Sequence, residues 1–231
     1  MQSSRTTPPG TQQSLDIEHG CFAGEGQWGH PVQKLLVTGY SFIAVPIMTL
    51  LIRPSRDDDV PTLAGFYIAS VKTETASWEY DAPDVAEFAR RREAVLAGGY
   101  PYFTAEHEGR PVGYSYASAF RVRIGYRYVV EDSIYVDPAM KGRGIGKQLL
   151  NTLIEECTRR GFRQMVAVIG DSANIGSIRL HAACGFEQVA LFRGIGYKFD
   201  RWLDSVQMQR MLGDGASTPP AELSLRKPDS R

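Results

Sequence analysis

The segment that most constrains this chain is residues 134–150, IYVDPAMKGRGIGKQLL. An apolar strand-like stretch, 128–136, is stopped by Asp137-Pro138 and followed by a turn holding Gly142, Gly144 and Gly146. Lys141, Arg143 and Lys147 stand beside and between these glycines. The turn opens directly onto a predicted helix, 144–160. There Ile145, Leu149, Leu150, Leu153, Ile154 and Cys157 fall on one stripe, and Gly161 is a suitable C-cap. Free N–H groups at a helix N-terminus form a ready anion site, and the helix dipole adds to it. Glycines let the backbone approach a diphosphate, and basic side chains add charge-assisted bonds. A P-loop requires Ser or Thr after Gly-Lys, but Gln148 follows Gly146-Lys147, and Lys141 stands at the first glycine position. A dinucleotide fingerprint requires G-x-G-x-x-G, but the spacing here is G-x-G-x-G. The bland alternative is a glycine-rich turn without a ligand.

Around this segment, strand and helix signals alternate. A strand is expected at 49–53 and helices at 57–70 and 83–97. Strands at 102–108 and 111–118 flank a hairpin turn at Glu108-Gly109-Arg110. After the long helix come a strand at 164–169, a short helix at 174–183 closed by Gly185, and last strands at 186–192 and 205–212. The order predicts a mixed α/β domain around one central sheet. Residues 1–47, rich in Gly, Gln, Ser, Thr and Pro, read as a disordered extension, residues 48–213 as the domain, and 214–231 as a flexible tail. Met48 directly precedes the first strand and is a candidate start of translation.

Twenty-six basic residues balance 26 acidic ones, which argues against a nucleic-acid partner. Cys21, Cys157 and Cys184 lack pairing or metal-ligand spacing, so no metal site is expected, and a reducing cytoplasm is the default. The apolar stretch 41–52 is too short for a membrane span and lacks the flanks of a signal peptide.

The turn resembles the R/Q-x-x-G-x-G/A signature of the GNAT acetyltransferase superfamily, with Lys141 in place of the usual Arg or Gln. A second block, NIGSIRLHAACGF at 174–186, resembles the later GNAT helix, matching at Asn174, Ser177, Leu180, Gly185 and Phe186. The resemblance implies a GNAT fold, a central mostly antiparallel sheet with flanking helices, that holds acetyl-CoA. Its pyrophosphate would lie on Lys141, Gly142, Arg143, Gly144, Ile145, Gly146 and Lys147. The pantetheine arm would pair with the backbone of Ile134, Tyr135 and Val136, and Asn174 and Ser177 would complete the cofactor site.

His181 stands where most GNAT members carry Tyr. Together with TETASWEY, VVEDSIYVDP and GYKFDRWLDSVQMQ, it gives the chain a resemblance to the phosphinothricin and methionine sulfoximine N-acetyltransferases. That implies acetylation of the α-amino group of a small glutamate-like amino acid, by an enzyme that is a homodimer. Such transfer needs a group to take the ammonium proton. By resemblance Glu131 and His181 are the candidates. Glu131 acts as base or binds the ammonium. His181 acts as base, as proton donor to the leaving thiolate, or as a packed helical residue. An anionic acceptor suits guanidinium groups, and the resemblance puts Arg121, Val122 and Arg123 at the amino-acid site, with Arg127 nearby. Trp78 and Trp202 match aromatics near the acceptor pocket, with core or interface roles as the alternative. Two rival functions remain: a ribosomal-protein-type N-terminal acetyltransferase, and a CoA-binding regulatory module without turnover.

Overall fold

The computed structural model describes residues 49–220. The proposed extension 1–47, the candidate start Met48, Cys21 and the tail beyond residue 220 lie outside the described residues.

Seven strands form one sheet in the order β1-β2-β3-β4-β5-β7-β6. They are β1 (Leu50–Pro54), β2 (Tyr102–His107), β3 (Arg110–Ala119), β4 (Val129–Val136), β5 (Gln164–Gly170), β6 (Glu187–Lys198) and β7 (Arg201–Met211). Every neighbouring pair is antiparallel except β4 and β5. The mixed α/β architecture with a mostly antiparallel sheet is therefore as expected. Helices α1 (Val60–Thr73) and α2 (Val85–Ala97) cover one face. Helices α3 (Ile145–Arg159) and α4 (Ile175–Ala183) cover the other.

The α3 stripe read from the sequence is the centre of the core. Ile145, Leu149, Leu150, Leu153, Ile154 and Cys157 are all buried, packed against β3, β4, β5 and β7. On the opposite face the rings of Tyr102, Tyr114, Tyr116 and Tyr135 stack across β2, β3 and β4, capped edge-on by Phe88 and Tyr67. Alternation along β4 follows from the two-residue strand period. Tyr135 belongs to the tyrosine face, and Val130 and Ile134 belong to the α3 face. Glu131 and Asp132, adjacent in sequence, therefore point to opposite sides of the sheet.

Two boundaries differ from the sequence reading. The helix expected from residue 57 begins as a 3-10 turn, Asp57–Asp59, before α1. That turn delivers the Asp59 carboxylate inward, where it accepts from both terminal nitrogens of Arg53 (2.7 and 2.8 Å) and from Thr104 Oγ1 (2.9 Å). The last two strands are longer than expected. β6 continues to Lys198 and returns through Phe199 and Asp200, both at positive φ (52° and 56°). This is the backbone of a two-residue hairpin, made without the usual Asn-Gly. The register of β6 shifts between Phe192 and Gly196, which hides its alternation in the sequence.

Leu153 is fully buried in the α3 core. Leu153→Ala is expected to lower unfolding free energy by about 2–5 kcal/mol. Glu155→Ala, on the exposed side of the same helix, should change it by less than about 0.5 kcal/mol. Urea denaturation of the two variants checks the assignment.

Candidate active site

The parallel pairing of β4 with β5 covers only Val129–Gln164, Val130–Met165 and Glu131–Val166. Beyond Glu131, β4 stays bonded to β3, and β5 stays bonded to β7 to its end. The two strands therefore part, and the facing backbone edges of 133–136 and 167–170 line a cavity of about 700 Å³. Its other end is closed by the glycine turn. Gly142 and Gly144 adopt φ of 79° and 80°, a left-handed conformation that costs glycine little and other residues considerably more. Gly144 is the N-cap of α3, and the first bond of the helix is Gln148 N–H to Gly144 O, 3.2 Å. The N–H groups of Ile145, Gly146 and Lys147 thus precede the helical ladder at the positive end of the dipole.

Every residue the sequence assigned to a cofactor lines this cavity except Arg143. Asn174 also caps α4, its Oδ1 accepting from Ser177 N–H at 3.2 Å. Lys141 is held by an ion pair with Glu74, from the segment joining α1 and α2. The dimensions, the free N–H groups, the lysines and the unpaired strand edges fit a long, partly anionic ligand such as acetyl-CoA. Among the described residues no cluster of His, Cys, Asp or Glu is placed to hold a metal ion, and no helix is long and apolar enough to cross a membrane.

A second cavity, of about 390 Å³, adjoins the first. Trp78, Glu131 and Val168 line both. The remainder of the smaller cavity is formed by Phe120, Arg121, Phe192, Ile195, Ser205 and Gln207. The structure thus brings Glu131, Arg121 and Trp78 together. It does not bring Val122 or Arg123 there: the chain leaves β3 at Ala119, Val122 is fully exposed, and Arg123 precedes the 3-10 turn Ile124–Tyr126. Arg127 lies over the Tyr128 ring, and Trp202 is exposed against Tyr197.

Glu131 sits at the vertex where the strands part. Burial, reinforced by the neighbouring charge of Asp132, pushes its carboxyl up to about 7 against the pull of Arg121. On the other face, Asp132 and His181 form a pair that sequence reading missed. His181 Nε2 lies 3.0 Å from Asp132 Oδ2, and His181 Nδ1 lies 2.8 Å from the carbonyl oxygen of Ser177. Both residues are buried. Burial pulls the imidazole down, but the hydrogen bond and charge of Asp132, with the Ser177 carbonyl, outweigh it and raise His181 above its ordinary value. A cationic ring donates from both nitrogens, which matches the two acceptors found. The remaining Asp132 oxygen, Oδ1, is buried without a partner.

The raised Glu131 value has a consequence for stability. Between the unfolded value and about 7, the folded chain binds a proton that the unfolded chain has released, so stability falls as pH rises through this window. Glu131→Gln should therefore melt above the wild-type protein at pH 8, and the difference should vanish below the ordinary carboxylate range. Thermal unfolding at both pH values measures this.

Comparison with known proteins agrees with this geometry. Residues 66–186 match the Acetyltransferase (GNAT) family. The chain is 46% identical over 169 residues to a phosphinothricin N-acetyltransferase of Alcaligenes faecalis, covering 73% of this chain and 86% of that protein. It is 38% identical over 168 residues to an L-methionine sulfoximine/L-methionine sulfone acetyltransferase of Salmonella typhimurium, covering 73% and 98%. Among solved structures, a GNAT superfamily phosphinothricin acetyltransferase from Sinorhizobium meliloti in complex with AcCoA superposes with a TM-score of 0.74. Its identity is 46%, covering 78% of this chain and 96% of that one.

Proposed function

The chain belongs to the GNAT acetyltransferase family, and on that premise we propose that it acetylates the α-amino group of a small glutamate-like amino acid such as phosphinothricin or methionine sulfoximine. It is an N-acetyltransferase that uses acetyl-CoA. The observation that carries the acceptor reading is the placement of Glu131 in the wall shared by the two cavities. A carboxyl there faces both a cofactor in the larger and an amine in the smaller.

Bound acetyl-CoA supplies the activated acyl group. The protein's own residues do the rest. The N–H groups at the start of α3, with Lys141 and Lys147, hold the diphosphate. The β4 edge beyond Glu131 offers backbone N–H donors to a carbonyl oxygen as negative charge develops on it. Glu131, poised near 7, takes the ammonium proton. His181 is a poor candidate for that task while both ring nitrogens donate. To act instead as donor to the leaving thiolate, the ring would release Asp132 or the Ser177 carbonyl and turn that N–H toward the sulfur. Arg121 pairs with the acceptor's carboxylate, and Trp78 packs on its side chain. A cavity of about 390 Å³ with one guanidinium suits a free amino acid better than the end of a folded protein.

We also propose a homodimer working in the cytoplasm. Val189, Phe192, Ile195 and Tyr197 leave the edge strand β6 exposed and apolar, as a subunit interface would need. Cys157 and Cys184, free and buried, fit a reducing compartment.

CoA release should be measured with acetyl-CoA and a panel of phosphinothricin, methionine sulfoximine, the common amino acids and an alanine-started peptide. Turnover with the first two is expected. Turnover confined to the peptide would move the function to protein acetylation, and binding of acetyl-CoA with no turnover would favour a regulatory module. Glu131→Gln should lower kcat by about 10²–10⁴-fold.

In the wild-type enzyme kcat/KM should rise with pH to a plateau above about 7, as Glu131 loses its proton. Asp132→Asn removes the charge that raises both neighbours. It should shift that rising limb to lower pH while reducing kcat. An unmoved limb would mean that Asp132 does not set Glu131.

A further inference from the structure

Residues 74–84, between α1 and α2, form no helix or strand, yet they provide Trp78 to both cavities. What keeps this strap in place comes from the β6 hairpin and the end of β5. Lys198, the last residue of β6, is buried, with 2% of its surface exposed. Its Nζ donates to the carbonyl oxygens of Glu74 at 3.1 Å and Ser77 at 2.8 Å. The ammonium also lies 4.9 Å from the centre of the Phe199 ring. A buried ammonium is costly unless its donors are satisfied, and two strap carbonyls and an aromatic face satisfy this one.

Two residues earlier, on the same face of β6, Gly196 lies beneath the Trp78 ring. A Cβ at Gly196 would fall 1.7 Å from Trp78 Cζ3, so only a bare backbone admits the indole there. At the other contact, a Cβ at Gly170 of β5 would fall 2.2 Å from the carbonyl oxygen of Thr75. Tyr80 O–H donates to the carbonyl oxygen of Tyr197, fixing the strap once more. Lys198 and Gly196 line neither cavity themselves.

We propose that Lys198, together with Gly196, is a positioning element for acceptor recognition: it clamps the strap so that Trp78 forms the roof of the small cavity beside Glu131. The inference rests on reading that cavity as the acceptor site. It assigns to the β6 hairpin a part in specificity that neither residue could exert by touching the acceptor.

The test uses the full-length chain, with methionine sulfoximine and phosphinothricin as acceptor probes. Lys198→Met keeps an unbranched stem and removes the donors. It is expected to raise acceptor KM by about tenfold, the effect of losing hydrogen bonds from a charged group. KM for acetyl-CoA should rise clearly less, because Glu74, Ser77 and Trp78 also line the larger cavity, whereas uniform damage would move both equally. Arg121→Met, which alters the small cavity directly, is measured in parallel. A rise with Arg121→Met and none with Lys198→Met overturns the clamp and leaves the acceptor site standing. If neither variant raises acceptor KM, or the wild-type protein turns over neither probe, the acceptor reading falls and the clamp with it. Equal rises in both KM values for Lys198→Met would make it a general structural strut and overturn the inference. Should Lys198→Met not fold, Gly196→Ala, on an edge strand and without positive φ, puts its Cβ against the Trp78 ring and displaces it with Lys198 intact. It is expected to give the same selective rise, and its absence overturns the proposal.

Discussion

The early end of the β4–β5 ladder is the constraint on which the rest of the structure depends. Each strand keeps its outer partner along its length and gives up its inner one after three residue pairs. Backbone N–H and C=O groups left without partners in a protein interior are expensive. A wedge of this kind is therefore stable only where it is open to water or filled by a ligand with matching groups. The same parting fixes the other features of the site. It leaves a gap into which the N-terminus of α3 can direct its free N–H groups. It also makes Glu131 the last residue of β4 paired with β5, which puts its side chain at the vertex.

How much of this was legible in the sequence depended on how local each feature is. The α3 stripe, the glycine-rich turn and the Glu108-Gly109 hairpin are set by neighbours a few residues away, and periodicity and composition revealed them. The Asp132–His181 pair joins residues 49 positions apart, and the Lys198 contacts span more than 120. No spacing rule encodes such partners. Alternation along β4 could have placed Asp132 on the α3 face, but only with α4 already in position. The full extent of β6 was hidden because Gly194 and Gly196 interrupt its pattern at a register shift. Arg123 was grouped with Arg121 by family resemblance, which does not say where β3 ends in this chain. Here β3 ends at Ala119 and the segment turns through a short 3-10 helix, so Arg123 does not reach the cavity that Arg121 lines.

Adjacent residues on one strand also solve an electrostatic problem. Two carboxylates in neighbouring positions would ordinarily repel each other and both be driven toward the protonated form. The sheet separates them, giving each a face of its own. On the α3 face Asp132 meets His181, and its hydrogen bond and charge raise the buried imidazole above its ordinary value. On the other face Glu131 has only the exposed Arg121 to offset its burial and the nearby Asp132 charge, and it is pushed up to about 7. One carboxylate is thus taken up by its bond to His181, and the other is left balanced between its two protonation states. In this chain the division follows from strand alternation, and it places the titrating member in the wall between the two cavities.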